Sequence, residues 1–586
     1  MCGIIGYNGK KNAKKILIEG LKKLEYRGYD SAGIAVSDGI NKEIIKSVGR
    51  VSILEKKVLN ESKIDGNYGI AHTRWATNGA VTINNTHPHT NGRVTLVHNG
   101  IIENSDEIKR ELINKRVNFY GDTDSEVIAA LINYHYEDNP KDAIFKAVKK
   151  LKGSYALVIM FDKDDKLYAI RKDSPLIIGY NDSSSFASSD ISAISNSAKK
   201  ICYLDTNILA VMDKENVSYY DEKGKVLEEE KNIEKYNFDT SKDGYPHYML
   251  KEIMEEGKLV SNFLDKYLYS DRKEFNISSY KYVDIVACGS AMHAGLIGKS
   301  LIERYNKIKV SVYMASEYRY QDNIYNDKEN TLIILISQSG ETADTIATLR
   351  YAKEKGIKTL GIVNREGSTI AREADSTIMC DAGIEIAVAT TKAYIMQVLV
   401  LSLIAIKSSN YKEYLDNFKK LPMLINTVLN NKDKIEKTAK EIYKIDSCFF
   451  IGRLIDYYIA MEGSLKLKEV SYIHSECYPA GELKHGTISL IEDGTLVFGV
   501  ITDKNIMDKT ISNLKEVEAR GAKVFIITTD DVKIDSDLKI TVPSAEYYLQ
   551  SIPVVTALEL LAYYVALYRK CDIDKPRNLA KSVTVE

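Results

Sequence analysis

The pattern of apolar and polar positions divides the chain into two halves. Up to about residue 215, short strands mix with amphipathic helices, and the segments 93–98 and 155–160 are examples of the predicted strands. Residues 216–275 are more charged and poorer in apolar residues, with one helix predicted near His247–Leu264. We interpret this stretch as a linker between the halves.

The C-terminal half contains an internal repeat. Apolar strands that run into helices recur at an offset of 163 to 165 residues, with the paired landmarks Gly289 and Gly452, Thr331 and Thr495, and Gly356 and Gly521. Continuous apolar strands that alternate with helices indicate parallel sheets covered on both faces. The sequence therefore predicts two related α/β domains.

Composition and charge narrow the class of protein. The chain has 586 residues, too many for one core, and its 44% hydrophobic and 27% charged residues are typical of a globular protein. A net charge of −1 gives no reason to expect nucleic acid or an acidic membrane as a partner. No CxxC or HExxH motif is present, so we expect no metal site.

The same survey predicts a cytoplasmic protein. Seven cysteines without close pairing indicate a reducing compartment. Lysines at positions 10, 11, 14 and 15 interrupt any N-terminal apolar run, which argues against a signal peptide. The longest apolar stretches, such as Val398–Ile406, fall short of a membrane span.

The first candidate for chemistry is Cys2. Removal of Met1 would leave Cys2 at the N-terminus, with a thiol and a free α-amine on one residue. A thiol with a pKa of about 8.5 is a weak nucleophile at neutral pH, and an α-amine with a pKa of about 8 is a base beside it. One residue could then supply nucleophile and general base, although an ordinary small residue in second position is the alternative.

Three further motifs fit the same chemistry. Arg74 has a fork-shaped cation that can bind a carboxylate through two hydrogen bonds. The Asn99 amide and the Gly100 N–H would suit an oxyanion hole, although Asn-Gly is also a strong hairpin-turn signal. Asp124 offers a carboxylate for an ammonium group, with a helix cap as the alternative. Together they describe a site for a free amino acid with an electrophilic side chain, for which glutamine is the natural candidate.

The first repeat carries a candidate anion site at Ser337–Thr342, a loop that opens a helix. Backbone N–H groups and hydroxyls at a helix N-terminus suit a phosphate, and the absence of a Walker lysine favours a small phosphorylated metabolite. A hydroxyl-rich helix cap is the alternative. The equivalent loop 501–506 has lost the hydroxyl cluster and gained Asp503, so we expect one phosphate site in the two repeats.

These motifs resemble known families. Met1–Ile4, Thr73–Thr77, His98–Gly100 and Thr123–Val127 resemble the class II glutamine amidotransferases, which are N-terminal-nucleophile hydrolases. The Ser337–Thr342 loop and the twin domains resemble sugar isomerase (SIS) domains. Residues 576–586 are similar to the tail of the isomerising glutamine–fructose-6-phosphate aminotransferases, and the resemblance covers essentially the full length.

The resemblance implies an α/β and α+β multidomain fold. It places an αββα sandwich at 2–216, a linker at 217–274, doubly wound parallel-sheet SIS domains at 275–412 and 438–570, and a catalytic tail at 571–586. It further implies transfer of the glutamine amide nitrogen to fructose 6-phosphate with isomerisation, giving glucosamine 6-phosphate and glutamate. No cofactor, metal, nucleic acid or membrane is implied, and a homodimer through the SIS domains is expected.

The resemblance also assigns residues to roles. The implied catalytic residues are Cys2 as nucleophile, Asn99 and Gly100 as oxyanion hole, and Glu469 as the base that moves a proton between C1 and C2. His485 is implied to open the sugar ring, and Lys581 to form the Schiff base. The glutamine site comprises Arg74, Trp75, Thr77, His87 and Asp124, with Trp75 also matching a gate on an ammonia channel. The sugar-phosphate site comprises Ser290, Ser337, Gln338, Ser339, Thr342, Val388 and Ala580.

Alternatives remain at this stage. Glu462, Lys466 and Glu469 share one helix face, which by itself favours a solvent-exposed salt-bridge ladder. A different class II amidotransferase would need a pyrophosphoryl-sugar or ATP loop, and neither is found. A catalytically silent sugar-phosphate sensor is the other rival, and the intact Cys2 and Lys581 argue against it. Several residues depart from the common family pattern, so the affinity for the sugar remains open. They are Asn78, Ala291, Thr390 and the pair Glu256–Gly257, which stands in place of Gln-Pro.

Overall fold

The fold is that of a computed structural model in which residues 2–76, 79–227, 231–232, 241–321 and 327–583 are described. The chain divides into two compact units. Unit 1 comprises Met1–Asp239 with Ser582–Glu586, and unit 2 comprises Thr240–Lys581.

Unit 1 has two antiparallel sheets, in the strand orders β15-β11-β9-β10-β1-β4-β2-β3 and β14-β13-β12-β8-β7-β6-β5. Its elements are β1 (Gly3–Gly9), α1 (Ala13–Leu24), β2 (Ser31–Ser37), β3 (Lys42–Val48), α2 (Val51–Glu61), β4 (Tyr68–Arg74), β5 (His89–Asn91), β6 (Val94–Ile102), α3 (Ser105–Asn114), α4 (Asp124–Tyr134), α5 (Pro140–Val148), β7 (Gly153–Phe161), β8 (Leu167–Lys172), β9 (Ile177–Asn181), β10 (Ser184–Ser188), β11 (Lys200–Tyr203), β12 (Leu209–Met212), β13 (Val217–Asp221), β14 (Gly224–Val226) and β15 (Lys231–Asn232).

Three apolar clusters define the layers of unit 1. One joins α1 and α2 to the first sheet, and another joins α3, α4 and α5 to the second sheet. The third, which includes Ile4, Ile70 and Val158, lies between the sheets. Because each strand alternates its side chains between two faces, each sheet can contribute to two of these clusters. The expected αββα sandwich is confirmed, and it stacks the start of β1 against β6.

Unit 2 has two parallel five-stranded sheets, in the orders β17-β16-β18-β19-β20 and β22-β21-β23-β24-β25. Its elements are α6 (Tyr248–Met254), α7 (Glu256–Tyr267), β16 (Tyr282–Ala287), α8 (Gly289–Asn306), β17 (Lys309–Met314), α9 (Ala315–Tyr318), β18 (Thr331–Ser337), α10 (Ala343–Lys355), β19 (Lys358–Val363), α11 (Thr369–Glu373), β20 (Ser376–Met379), α12 (Lys392–Lys407), α13 (Leu421–Asn430), α14 (Lys432–Ile442), β21 (Ser447–Gly452), α15 (Ile455–Ser471), β22 (His474–Pro479), β23 (Leu496–Ile501), α16 (Met507–Glu518), β24 (Lys523–Thr529), β25 (Leu538–Val542) and α17 (Ser551–Tyr568).

The matching strand orders confirm the internal repeat. The outer face of the first sheet packs on α9, α10 and α11, and that of the second packs on α16. The inner faces of both sheets join one large cluster with α8, α12, α15 and α17. The two repeats therefore share a single core.

Helices α6 and α7 lie in the C-terminal part of the segment interpreted as a linker. The single helix expected near His247–Leu264 is divided into these two helices at Glu255. Their apolar faces, with Met249, Ile253, Val260 and Phe263, are buried in the large cluster of unit 2. This segment therefore contributes core to unit 2 as well as connecting the halves.

Helix α17 is long and apolar enough to cross a membrane by length and composition alone, although no stretch was expected to reach that length. However, 89% of it is buried inside the protein. It contacts α14 and α15 within the large cluster, as the core helix of a large globular unit does.

Candidate functional site

The Cys2 thiol lies at the start of β1 and is held by the backbone of Trp75. Its Sγ donates to the Trp75 carbonyl at 3.5 Å, and the Trp75 N–H donates to Sγ at 3.2 Å. Burial raises the pKa of the thiol, and the Trp75 N–H and Arg74 partly oppose that rise. The thiol therefore needs a base to become a nucleophile. Met1 lies outside the described residues, so its removal stays a prediction.

Asn99 and Gly100 lie in the middle of β6 and do not form a hairpin turn. Asn99 Nδ2 donates to the Cys2 carbonyl at 2.9 Å, which places the amide beside the thiol-bearing residue. Gly100 has a φ of +137°, and a Cβ there would lie 2.1 Å from the Ser154 carbonyl oxygen. Glycine is therefore required at this position. The turn interpretation is wrong because this Asn-Gly pair is paired in the sheet opposite Ala156 and Tyr155.

Arg74 and Asp124 are both buried near this edge of the sandwich. The Arg74 guanidinium donates to the carbonyls of Gly79 at 2.9 Å and Ala80 at 3.2 Å. Asp124 opens α4, and its carboxylate accepts from the Ile102 N–H at 3.0 Å and from the Ser125 hydroxyl at 3.3 Å. The residue that caps the N-terminus of α4 is Thr123 and not Asp124, because the Thr123 side chain accepts from the Glu126 N–H.

Two other residues expected to bind the substrate glutamine, His87 and Trp75, contact aromatic side chains of unit 1. The His87 ring stacks on His72 with ring centroids 3.9 Å apart. The Trp75 indole makes an edge contact with Tyr29 at 5.6 Å. Thr77 and the departure at Asn78 lie outside the described residues.

The predicted anion loop is organised by its own hydroxyls. The Ser337 hydroxyl lies 2.8 Å from Thr342 Oγ1 and accepts from the Gly340 N–H at 3.0 Å, while Ser339 accepts from the Glu341 N–H. Thr342 is the N-cap of α10 without a side-chain capping bond. Its hydroxyl therefore faces the loop, which together with the helix N-terminus can receive a phosphate.

The equivalent loop of the second repeat already holds an internal carboxylate. Buried Asp456 accepts from the Thr502 N–H at 2.9 Å, from the Thr502 hydroxyl at 2.5 Å and from the Asp503 N–H at 3.4 Å. Burial raises the pKa of Asp456 to about 6. An acid from α15 thus takes the backbone donors that a phosphate would use.

The acidic and basic side chains on α15 form a buried cluster and not a solvent ladder. Glu462 and Lys466 are fully buried, and Lys466 Nζ lies 2.5 Å from Glu469 and 3.5 Å from Glu462. Ser290 and His293 on α8 contact the two Glu462 oxygens at 2.8 Å each. Burial raises the pKa of Glu462, but Lys466 and His293 outweigh it and hold that pKa below its usual value. Ser290 thus contacts the acid cluster, and Ala291 follows it in α8.

Lys581 enters a second buried cluster. Its side chain is 3% exposed and its ammonium donates to Glu385, which is itself buried. Glu385 also accepts from the Thr390 hydroxyl at 2.6 Å and the Thr391 N–H at 2.9 Å. Burial raises the pKa of Glu385, but Lys581 and these donors bring it below its usual value. Thr390, which replaces the usual serine, therefore still provides a hydroxyl that donates to Glu385.

The tail that carries Lys581 and Ala580 is anchored on the loops around it. The Arg577 N–H donates to the Tyr472 hydroxyl at 2.8 Å, and the guanidinium lies 4.3 Å from that ring. The Val388 N–H donates to the Asp574 carbonyl at 3.0 Å. Tyr472 is the C-cap of α15, so the tail is attached to the helix that bears Glu469.

His485 does not join these clusters in the hydrogen bonds described for the chain. It ends the short 3-10 helix Glu482–His485 and is exposed. Gln338 lies part-buried in the anion loop, where its carbonyl accepts from the Asn364 N–H.

Sequence analysis missed Glu385, His293 and His72. Glu385 is the one charged residue in the apolar segment 382–389, and an isolated charge in such a segment is a signal for a buried partner. His293 and His72 carry no comparable signal, because only the tertiary fold reveals what their rings contact.

A buried pair of carboxyl groups lies beside the α15 cluster. Glu256 and Glu559 are fully buried, and Thr556 donates to Glu256 at 2.6 Å. Burial raises the pKa of both groups, that of Glu256 to about 7, and the neighbouring Glu256 carboxylate adds to the rise at Glu559. The pair therefore retains protons in the folded protein near neutral pH.

We expect the Glu256→Gln/Glu559→Gln double variant to be more stable than the parent above pH 7. The raised pKa values mean that the folded chain binds more protons than the unfolded chain, so the free energy of unfolding falls as pH rises from the ordinary glutamate value of about 4.3 toward 7. The amide at position 256 can still accept from Thr556, and neither amide titrates. Thermal unfolding at pH 4 and pH 8.5 should show a gain of at least about 2 °C at the higher pH and little gain at the lower one.

The matched control is Glu413→Gln/Glu441→Gln, which removes two exposed carboxylates from the same unit. It should leave the pH dependence unchanged. A parent-like pH dependence in the buried double variant would contradict the raised pKa values of Glu256 and Glu559.

Comparisons with known proteins agree with this division into units. Residues 72–196 match the family model described as a glutamine amidotransferase domain, and residues 276–407 and 441–569 match the SIS domain model. The chain is 45% identical over 614 aligned positions to glutamine–fructose-6-phosphate aminotransferase [isomerizing] of Clostridium acetobutylicum, and 44% identical over 611 to that of Caldanaerobacter subterraneus, covering 100% of each chain.

A solved structure provides a further comparison. The C-terminal domain of glucosamine-fructose-6-phosphate aminotransferase from Francisella tularensis is 36% identical, with a TM-score of 0.55, and covers 57% of this chain and 100% of its own.

Proposed function

The chain belongs to the family of isomerising glutamine–fructose-6-phosphate aminotransferases, and from this premise we propose how its two units divide the reaction. The reaction transfers the glutamine amide nitrogen to fructose 6-phosphate with isomerisation, giving glucosamine 6-phosphate and glutamate. Unit 1 releases the nitrogen and unit 2 accepts it into the sugar. The observation that carries this division is the tail lysine Lys581, which is 3% exposed within unit 2, while the thiol of Cys2 lies in unit 1.

In unit 1, Cys2 attacks the glutamine amide after Met1 is removed, and its own α-amine takes the thiol proton. Asn99 Nδ2 and the Gly100 N–H stabilise the oxyanion of the tetrahedral intermediate. The Asn99 amide supports this role because it lies within hydrogen-bond distance of Cys2. Arg74 and Asp124 bind the α-carboxylate and α-ammonium, with His87, Trp75 and Thr77 completing the site. Trp75 is also the proposed gate for ammonia, because its backbone contacts the Cys2 thiol directly.

In unit 2, the phosphate binds at Ser337, Gln338, Ser339 and Thr342. The hydroxyls and the N-terminus of α10 support this choice, and Asp456 disfavours the equivalent loop of the second repeat. Val388, Ala580 and Ser290 complete the sugar site. The Val388 contact with Asp574 supports a sugar site next to the tail.

Lys581 forms the imine with the opened sugar. The amine must lose its proton before it attacks the carbonyl, and the contact with Glu385 holds the amine in position. In order, His485 opens the ring, Lys581 adds to the sugar carbonyl with loss of water, and ammonia from unit 1 replaces Lys581 in the imine. Glu469 then moves the proton between C1 and C2. The buried ion pair with Lys466 holds Glu469 in place, which supports a positioned base.

We also propose a homodimer through the SIS domains and a cytoplasmic location. His485 is exposed in unit 2, so a ring-opening role is compatible with a site completed across such a dimer. All seven cysteines are free thiols, which supports a reducing compartment.

The proposed function is tested with glutamine labelled with ¹⁵N in its side-chain amide, together with fructose 6-phosphate. Mass spectrometry should find glucosamine 6-phosphate that carries the label. Unlabelled glucose 6-phosphate alone would favour a simple isomerase, and the absence of any sugar product would favour a sensor. Either result would contradict the proposal.

A further inference from the structure

The feature that carries a further inference is a cluster of buried histidines below Cys2. His72, His87, His89 and His98 account for four of the nine histidines in the chain, and all are buried. The resemblance assigns a role only to His87. His72 is fully buried in β4, next to the strand that begins after Cys2.

The contacts of His72 determine which nitrogen carries its proton. Nε2 lies 3.0 Å from the His98 carbonyl oxygen and 3.0 Å from Asn99 Oδ1. Both neighbours are acceptors, so Nε2 is the donor. Burial lowers the pKa of His72 to about 3, so the ring is a neutral donor throughout the working pH range.

The same contacts determine the orientation of Asn99. Its Oδ1 faces the His72 donor, and its Nδ2 faces the Cys2 carbonyl at 2.9 Å. A flipped amide would place an oxygen against the Cys2 carbonyl oxygen and a nitrogen against the His72 N–H. Because Nδ2 has two protons, one remains for a substrate oxygen once Cys2 is bonded.

A stacked neighbour fixes His72 itself. The His87 ring lies parallel to it within 17° at 3.9 Å, and His87 Nδ1 accepts from the His98 N–H at 3.3 Å. His87 Nε2 is therefore the protonated nitrogen, facing Ser125 Oγ at 3.3 Å. The imidazole that holds Asn99 is thus held against a second ring with a defined tautomer.

We propose that His72 is a positioning residue for glutamine hydrolysis, which donates from Nε2 to Asn99 Oδ1 and so directs the Asn99 Nδ2 donor toward the oxyanion. This inference rests on the proposed function of Asn99. His72 does not touch the substrate and does not exchange a proton with it. Loss of the His72 donor should destabilise the transition state more than it weakens glutamine binding, because the oxyanion exists only after Cys2 attacks.

The test compares two isosteric variants, His72→Gln and His72→Asn, in the full-length chain. A glutamine side chain carries its amide N–H at the level of Nε2 and reaches Asn99, whereas asparagine carries it at the level of Nδ1. Glutamate release is measured over a range of glutamine concentrations. We expect His72→Asn to lower kcat by about 10- to 100-fold with KM changed less than about 3-fold, and His72→Gln to retain most of the activity.

The controls separate positioning from folding. Asn8→Ala removes another buried side chain of unit 1, which donates to two carbonyls at 2.7 and 3.2 Å and does not touch Asn99. It should keep kcat per active site, as titrated by alkylation of Cys2. Equal kcat for the two His72 variants, or a loss confined to KM, would overturn the proposal. A parent without glutaminase activity would instead contradict the proposed function.

Discussion

Lys581→Arg is expected to abolish glucosamine 6-phosphate synthesis, with a loss of at least about 10³-fold. The guanidinium keeps a positive charge beside Glu385, so the buried ion pair survives, but it stays protonated and forms no imine. Lys581→Ala would lose the imine too, but would also leave the Glu385 carboxylate buried without its partner. The arginine variant therefore separates chemistry from stability.

Three measurements check this prediction. Product formation should be lost, borohydride should no longer trap fructose 6-phosphate on the protein, and glutaminase activity without sugar should persist. Lys575→Arg, the same change six positions earlier in the tail, should keep synthesis within about 2-fold of the parent. Near-normal synthesis by the Lys581→Arg variant would exclude the imine role.

Cys2→Ala should remove glutamine hydrolysis entirely while unit 2 continues to convert fructose 6-phosphate to an aldose phosphate. In the proposed mechanism the nucleophile and its base are both supplied by Cys2 of unit 1, and the residues proposed to act on the sugar lie in unit 2. The loss should exceed about 10⁴-fold, as for other covalent nucleophiles. Glutamate release and glucose 6-phosphate formation are measured on the same preparation.

Cys202→Ala is the matched control, because it removes the only other thiol of unit 1 among the described cysteines. Cys202 is buried between the sheets and should leave glutamate release nearly unchanged. Intact-mass analysis of the active parent supplies a further check. An active enzyme that retains Met1 would rule out the α-amine of Cys2 as the base.

Local patterns were sufficient for the architecture and for the position of the motifs along the chain. The period-two strands, the matched landmarks of the repeat and the Ser337–Thr342 loop each depend on neighbours in sequence. The strand at 93–98 and the turn at Gly289 were predictable for that reason. Cys2 was recognisable because removal of Met1 would give it both a thiol and a free α-amine. Lys581 was recognisable because it belongs to the tail motif 576–586.

Only the tertiary structure decided what surrounds each group. The Asn99–Gly100 pair lies in the middle of a strand because β7 pairs with β6 along its length, and no local signal overrides that pairing. Glu462 and Lys466 are buried because the two repeats pack their inner faces into one core around α15. In a single domain the same helix face would be exposed to solvent and would form a row of surface salt bridges. The partnership of Lys581 with Glu385 joins residues 196 positions apart. Such contacts depend on long-range packing and not on local propensity. For that reason the sequence alone predicted candidate residues for the chemistry, while the fold determined which of them meet.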